Sequence, residues 1–536
     1  MREPVRGRCA VPPVRVDRLT GCGDPDRPAV TFRSETLTYG QLADRVARFA
    51  NGLRGLGVGR GDRVVVYADK RIETVVALLA VSAAGAVFVP ANPLLRTRQI
   101  GHVIEDCAPR VVITTADRWA IVRPVLAPGT SVDHVVLVGA TGDEPPAGPG
   151  VRLLSWDVPA GCEPVPVPAA SAVIDQDAAA IMYTSGSTGR PKGVVLSHRN
   201  ILAGAASVAG YLGHGPDDTV LALLPLSFDA GLSQLTTSLI AGAHAVLANF
   251  LVARDVVRLC ARHGITALTC VPPLWLQLVA QDWPAEATAR LRYFANTGGR
   301  MPGPVLARLR RIFPAAEPYL MYGLTEAFRS TYLDPAQADL RPGSIGRAIP
   351  NAEILVLRPD GSPCAPGEHG ELVHRGALVA LGYWNDPVRS AERFRPLPGT
   401  GGATRPEIAV WSGDTVYRDE EGFLYFVGRE DEMIKSSGYR ISPAEIEEAA
   451  YATGLVGEAV ALGIEDDRLG HRVGLVVAPR DPGLTPQTLS RALARELPAY
   501  MLPSHIDILD RLPRSANGKF DVVALRRSLH SMPAPG

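Results

Sequence analysis

The chain has 536 residues, 46% of them hydrophobic, and its 55 Lys and Arg are balanced by 55 Asp and Glu. That length calls for more than one domain, and the zero net charge, with both signs mixed throughout, excludes the concentrated cationic face of a nucleic-acid groove. No apolar run reaches the ~18 residues of a membrane span, and Met1–Arg18 is broken by Arg and Pro without an apolar signal-peptide centre, so a cytoplasmic protein is expected. Cys9, Cys22, Cys107, Cys162, Cys260, Cys270 and Cys364 form neither a CxxC pair nor a metal-ligand spacing. They are expected to be reduced.

Strand and helix signals alternate along the first part of the chain. Arg63–Tyr67 is a β-branched strand, Glu73–Ala84 an apolar helix, and Ala86–Val89 and Arg110–Thr114 are strands again. Such alternation predicts an α/β fold with a largely parallel sheet. From Val138 to about Ser171 the chain is rich in Pro, Gly and Ala, which predicts a surface connection. Ala180–Tyr183 and Gly193–Leu196 then bracket a Gly/Ser/Thr loop. Val220–Leu224, Ala245–Ala248, Ala267–Val271 and Leu291–Ala295 are further strands with helices between them.

After residue 345 come short strands and turns, Glu353–Leu357, Gly370–Val373, Val410–Gly413 and Phe423–Val427, reading as a small antiparallel, distorted β-barrel. The tail from about Asp431 has helices from Pro443 and Pro486 and strands near Val456–Leu462 and Val473–Val477. This predicts a large core over residues 1–430 and a small α+β domain over 431–536.

The loop from Tyr183 to Gly193 reads Tyr-Thr-Ser-Gly-Ser-Thr-Gly-Arg-Pro-Lys-Gly. Gly186, Gly189 and Gly193 let backbone N–H groups converge on an anion. Thr184, Ser185, Ser187 and Thr188 offer hydroxyl donors, and Lys192 a positive charge. A Walker loop needs Gly-Lys-Ser/Thr leading into a helix. Here Pro191 precedes Lys192 and a strand-like run follows, so a phosphate-binding hairpin connection is expected.

The sequence YTSGSTGRPKGV resembles the signature of the adenylate-forming superfamily of AMP-dependent synthetases and ligases. The resemblance continues in order through Thr38-Tyr39-Gly40-Gln41-Leu42, Met321-Tyr322-Gly323-Leu324-Thr325-Glu326, Ser412-Gly413-Asp414, Gly428-Arg429-Glu430-Asp431, Lys435-Ser436-Ser437-Gly438-Tyr439-Arg440 and Asn517-Gly518-Lys519. Ser412 stands where Thr is usual. Side-chain chemistry agrees with what the resemblance implies. Tyr322 can stack on adenine, with Gly298, Gly299 and Arg300 opposite and Gly323 beside it. Asp414 can accept both ribose hydroxyls, and Arg429 can anchor ribose or phosphate. Glu326 is a hard oxygen ligand for Mg²⁺, Thr325 a phosphate donor, and Lys519 a cation for the charge that develops at the α-phosphate.

The resemblance implies two steps with ATP and Mg²⁺. Adenylation of a carboxylic acid is followed by transfer of the acyl group to a thiol. The C-terminal domain turns about Asp431 between steps, presenting first Lys519 and then Gly438, Tyr439 and Arg440.

Fatty-acyl and acetyl-type relatives carry a His-bearing, aromatic-rich segment where this chain has Leu224-Pro225-Leu226-Ser227-Phe228-Asp229-Ala230-Gly231. Amino-acid-activating members carry a similar Phe-Asp pair whose Asp binds the ammonium. Alternatively, Asp229 caps a helix beginning near Leu232. Gly231 departs from the peptide-synthetase form, and no Ser-bearing carrier domain is present in the sequence. The chain thus looks like stand-alone amino-acid, notably β-amino-acid, adenylation enzymes that load a separate carrier protein in natural-product (antibiotic) biosynthesis. It also looks like AMP-forming acyl-CoA ligases using free CoA. Further pocket walls are expected from Pro272–Leu276, including Trp275, from Thr297–Arg300 and from Phe328–Ser330. Arg329 pairs either with a second substrate carboxylate or with an internal acid.

Overall fold

In the computed structural model, residues 13–163, 173–184, 191–398, 405–429, 434–436, 439–466, 470–497, 501–515 and 518–530 are described. An eight-stranded sheet runs in the order Gly382–Tyr383, Lys192–Ser197, Ala178–Thr184, Val87–Ala91, Arg63–Tyr67, Val111–Thr115, His134–Val138, Arg152–Ser155. It is parallel from Ala178–Thr184 to its far edge and antiparallel at the phosphate hairpin and at Gly382–Tyr383. The expected surface connection after Val138 therefore contains an edge strand. Arg152-Leu153-Leu154-Ser155 pairs with His134–Val138, because its two leucines supply apolar surface that the surrounding Pro/Gly composition obscured.

A fourteen-stranded sheet lies beside it. Its parallel part contains Pro28–Phe32, His244–Leu247, Thr219–Ala222, Ala267–Cys270, Tyr293–Asn296 and Glu317–Tyr322. Through Thr331–Leu333 and Ser344–Ala348 it continues into the antiparallel strands Leu424–Arg429, Ile408–Arg418, Gly370–Gly376 and Ala352–Leu357. A smaller five-stranded sheet carries Ile434–Ser436, Tyr439–Ile441, Val456–Asp466, Gly470–Pro479 and His505–Ile508. Helices Pro443–Ala452 and Pro486–Leu493 accompany it, and it has its own core around Ile446, Leu475 and Leu489. The architecture is mixed α/β, a large N-terminal part followed by a smaller C-terminal one.

Local chemistry accounts for the main elements. The helix Ile72–Ala84 is buried almost all round, so its sequence is apolar without a polar stripe. The motif Thr38–Leu42 is a helix start, not a ligand site. Thr38 and Gln41 form a capping box for Tyr39–Gly55, and the Tyr39 hydroxyl donates to the Ala243 carbonyl at 2.8 Å. Cys107, Cys162, Cys260, Cys270 and Cys364 are free, but Cys22 is disulfide-bonded, which corrects the expectation of uniformly reduced thiols. Among the described residues no helix is long and apolar enough to cross a membrane.

One glycine fixes how the substrate-side helix Asp229–Ile240 sits. A Cβ at Gly231 would lie 1.9 Å from the Pro225 carbonyl oxygen. Backbone has little room to yield, so Gly231→Ala is expected to destabilise the fold by about 1–3 kcal/mol or more. A fall in the urea midpoint checks this.

Candidate active site

The hairpin Ala178–Thr184/Lys192–Ser197 places Thr184 opposite Lys192 and Tyr183 opposite Gly193. Ser185, Gly186, Ser187, Thr188 and Gly189 lie outside the described residues. Both ends of their loop are braced. The Tyr183 hydroxyl donates to Asp106, His102 Nε2 lies 3.1 Å from the Pro191 carbonyl, and Trp384 N–H donates to the Gly193 carbonyl at 2.7 Å. Gly193 is needed for this approach, since a Cβ there would meet Ile181 at 2.6 Å. Thr184 Oγ1 is buried with no hydrogen-bond partner among the described residues. Burying a hydroxyl in this way is costly, and a phosphate oxygen would relieve it.

Lys192 Nζ donates to Glu326 Oε1 at 2.8 Å and to the Tyr383 hydroxyl at 2.7 Å, and that hydroxyl donates to the same Glu326 oxygen at 2.7 Å. Glu326 belongs to the short turn Thr325–Ala327 after strand Glu317–Tyr322, and both Thr325 and Glu326 are buried. Burial alone would raise the Glu326 pKa. The Lys192 charge and the hydrogen bonds from Lys192 and Tyr383 outweigh it, so the carboxyl sits below its usual value. Tyr383, absent from the sequence reading, gave no local signal there.

On the nucleoside side, the Tyr322 hydroxyl donates to Asp414 Oδ2, while Arg429 Nε donates to Asp414 Oδ1 at 3.0 Å. Ser412 Oγ accepts from Asp414 N–H at 3.0 Å and donates to the Leu372 carbonyl at 2.7 Å, so serine supplies the needed hydroxyl here. Burial, followed by the neighbouring Asp414, pushes the Tyr322 phenol well above its ordinary pKa, so it stays a donor. Tyr322 therefore orients the carboxylate as well as offering a ring face.

Gly298 adopts φ +75°, and a Cβ there would sit 3.2 Å from Lys519 Cε and 3.3 Å from Val271. Asn296 Nδ2 holds the turn through the Gly299 carbonyl at 2.8 Å. A Cβ at Gly323 would lie 3.3 Å from Arg329 Cα. Arg300 is exposed and points toward Gly343.

The acid end differs from expectation in several places. The helix starts at Asp229, not near Leu232, and Phe228 is its extended N-cap. Asp229 Oδ1 accepts from Ala230 N–H at 2.8 Å, and Oδ2 lies 4.0 Å from Arg329 Nη1 with both residues buried. Asp229 is thus a first-turn residue facing an internal cation. Trp275 is fully buried, its indole N–H donating to the Ala295 carbonyl at 3.2 Å and its ring edge-on to Phe294. It is a core residue, not a pocket wall. Phe328 holds φ +53° and packs on Gly204, where a Cβ would come within 2.4 Å of its ring. Its side chain also belongs to the core, which offsets a strained backbone costing about 1–3 kcal/mol. Thr297 is buried, with its N–H on the Cys270 carbonyl at 3.1 Å.

Lys70 was not foreseen. It is completely buried and donates to the carbonyls of Leu223 and, at 3.3 Å, Leu224, fixing the approach to Phe228, and burial brings its pKa down to about 7.

The C-terminal part delivers Lys519 to this site. Ser515 N–H donates to the Lys519 carbonyl at 2.7 Å, forming a turn with Gly518 at φ +78°, and Lys519 Nζ lies 5.2 Å from the centre of the Phe228 ring. Gly303 N–H also donates to Glu448 across the two parts at 3.0 Å. Tyr439 and Arg440 lie in the strand Tyr439–Ile441, whereas Asp431 and Gly438 lie outside the described residues.

A phosphate hairpin, a carboxylate–lysine pair, an oriented nucleoside acid and an inserted lysine define an enzyme that binds ATP and activates an acid. Residues 21–384 match the AMP-binding enzyme family and 445–519 the AMP-binding enzyme C-terminal domain, and the chain belongs to this family. It is 30% identical to long-chain-fatty-acid–CoA ligase of Salmonella typhimurium over 94% of this chain and 91% of that protein. It is 31% identical to feruloyl-CoA synthase of Amycolatopsis sp over 96% and 98%. Tyrocidine synthase 3 of Brevibacillus parabrevis is 30% identical over 95% of this chain, which spans only 8% of that protein's length. ATP-bound MatB from Rhodopseudomonas palustris superposes with a TM-score of 0.84 at 25% identity, covering 96% of this chain and 99% of that one. The MenE o-succinylbenzoate coenzyme A synthetase of Bacillus subtilis, in complex with ATP and magnesium ion, gives 0.79 at 27%, covering 97% and 100%.

ATP and Mg²⁺ are the family's requirements, and the residues fit them. The buried Thr184 hydroxyl, without a partner among the described residues, stands at the start of the phosphate loop, the Gly298 turn leaves a cradle, and Glu326 offers a hard oxygen. Among the described residues no cluster of three metal-ligating side chains occurs.

Lys192→Met would leave Glu326 buried without its counter-charge. An expected loss of about 3 kcal/mol near pH 7 follows. Because pairing lowers the folded-state pKa of Glu326 from 4.5, that stabilisation is complete above pH ~4.5 and disappears as pH falls through the folded value. The stability gap between wild type and variant should therefore narrow in acid, measured by urea denaturation across pH.

Proposed function

We infer that the enzyme adenylates an amino acid, an α- or a β-amino acid, and transfers it to the phosphopantetheine thiol of a separate carrier protein in natural-product biosynthesis. The observation that carries this reading is Asp229. It is a buried carboxylate at the acid end, accepting from the Ala230 N–H at 2.8 Å and facing the Arg329 guanidinium at a loose 4.0 Å. A buried carboxylate needs close compensation, and a substrate ammonium supplies it. Similarity to a segment of tyrocidine synthase 3 supports the same class.

In the first step an acid oxygen forms a bond to the α-phosphorus while the bond to the β-phosphate oxygen breaks and pyrophosphate leaves. Thr184, Lys192, Thr325 and the hairpin N–H groups hold the phosphates. Tyr322, Asp414, Arg429 and Gly298 hold the nucleoside, and Lys519 neutralises charge between carboxylate and α-phosphate. Glu326 would hold Mg²⁺, which would supply further positive charge at the phosphate oxygens. In the second step a thiolate attacks the acyl carbon and AMP leaves. For this step the domain following residue 430 turns about Asp431 and brings Gly438, Tyr439 and Arg440 to the cleft.

A second reading is an AMP-forming acyl-CoA synthetase using a non-amino acid and free CoA. It is favoured by relatives named as CoA ligases that match over nearly their whole length.

ATP–pyrophosphate exchange across α-amino, β-amino and non-amino acids tests the two. Asp229→Ala is expected to lower exchange with the preferred amino acid at least 100-fold, and unchanged kinetics would exclude the ammonium role. Lys519→Ala should abolish adenylation yet largely spare thiol transfer from supplied acyl-AMP, and equal loss of both would overturn the two-conformation mechanism.

A further inference from the structure

A narrow cavity lies between the helices His198–Tyr211 and Asp229–Ile240 and the parallel strands beneath them. Ala230, next to Asp229, lines it together with Arg329, His214 and Tyr293. Val208, Leu212 and Val220 supply apolar wall, yet Ser233, Gln234 and Thr237 share the lining. Its interior has room for about one water-sized group.

Two of the lining residues carry buried polar atoms with no partner among the described residues, His214 Nδ1 and Arg329 Nε. The residues are 4% and 5% exposed. Native interiors leave few such atoms unsatisfied, and these two belong to walls of one cavity. The other His214 nitrogen, Nε2, lies 2.7 Å from the Tyr293 hydroxyl. Burial lowers the His214 pKa to about 4, so the ring is neutral at pH 7 and keeps one N–H. When Tyr293 donates to Nε2, Nδ1 carries the proton and is a donor. When Nε2 donates to the phenol oxygen, the Tyr293 O–H is released as a donor instead. Either arrangement leaves the pair one donor, and Arg329 Nε–H is always a second.

We propose that this cavity is the far end of the acid pocket and that His214, with Tyr293 and Arg329, selects a short acid bearing an oxygen acceptor at its distal end. The inference rests on the reading that the acid lies beside Asp229. A long alkyl chain fits neither the volume nor the donors. A site built to hydrogen-bond an oxygen rejects the analogue lacking it, because its own buried groups are then left unpaired.

The test uses ATP–pyrophosphate exchange by the full chain with matched acids. Homoserine is compared with norvaline, and 4-hydroxybutyrate with pentanoate. Asparagine and aspartate distinguish an amide carbonyl and a second carboxylate from a hydroxyl. The readout is the ratio of kcat/KM within each pair, which cancels differences in the amount of folded enzyme. Wild type is expected to prefer at least one oxygen-bearing acid by 10-fold or more. His214→Leu should reduce that ratio to within about 3-fold, chiefly through KM of the oxygenated acid. If His214→Leu does not fold, Tyr293→Phe, which removes one hydroxyl, is expected to reduce the ratio at least 3-fold.

Amino acids turned over without any distal-oxygen preference would overturn the inference and leave the amino-acid reading standing. A preference confined to 4-hydroxybutyrate would support the inference and overturn the amino-acid reading. A ratio unchanged in both folded variants, or no exchange with any oxygen-bearing acid, overturns the inference.

Discussion

The contact on which the site depends is the ion pair between Lys192 and Glu326, closed by the Tyr383 hydroxyl. Its members come from the phosphate hairpin, the turn after Tyr322 and a two-residue strand paired back onto the hairpin. The eight-stranded sheet thereby meets the fourteen-stranded one at a point of opposite charge. Lys192 keeps the Glu326 carboxyl ionised in a largely desolvated place, and the two groups serve as one another's counter-ion.

Much of this could be read along the chain because the recognition elements are short and local. The phosphate hairpin, the turn at Thr325–Ala327 and the Ser412–Asp414 segment each put their ligands within a few residues, where spacing carries the information. Strand runs such as Arg63–Tyr67 and the wholly buried helix after Arg71 were equally legible from apolar pattern.

What escaped was set by contacts between distant segments. Asp229 and Arg329 stand 100 positions apart, Lys192 and Tyr383 191 apart, and neither pairing leaves a periodic trace. Side-chain direction was the other difficulty. Trp275 sits in a short helix that begins with two prolines, too brief for its buried face to show as a period. Phe328 turns inward only because its backbone adopts a positive φ. Aromatic residues near a motif were therefore read as pocket walls when the core had claimed them. The Leu153–Leu154 strand was hidden by its Pro- and Gly-rich neighbours.

The turn at Gly298 has a consequence for how the two parts of the enzyme communicate. Its missing side chain leaves the space beside which Lys519 Cε rests, 3.2 Å from where a Cβ would be. The large part thus acts as a gauge for the small one. It admits the lysine arm to a depth set by bare backbone. A methyl group there would act as a wedge against that arm while leaving the phosphate hairpin untouched. The seating of the lysine is in this sense written into a single absent carbon.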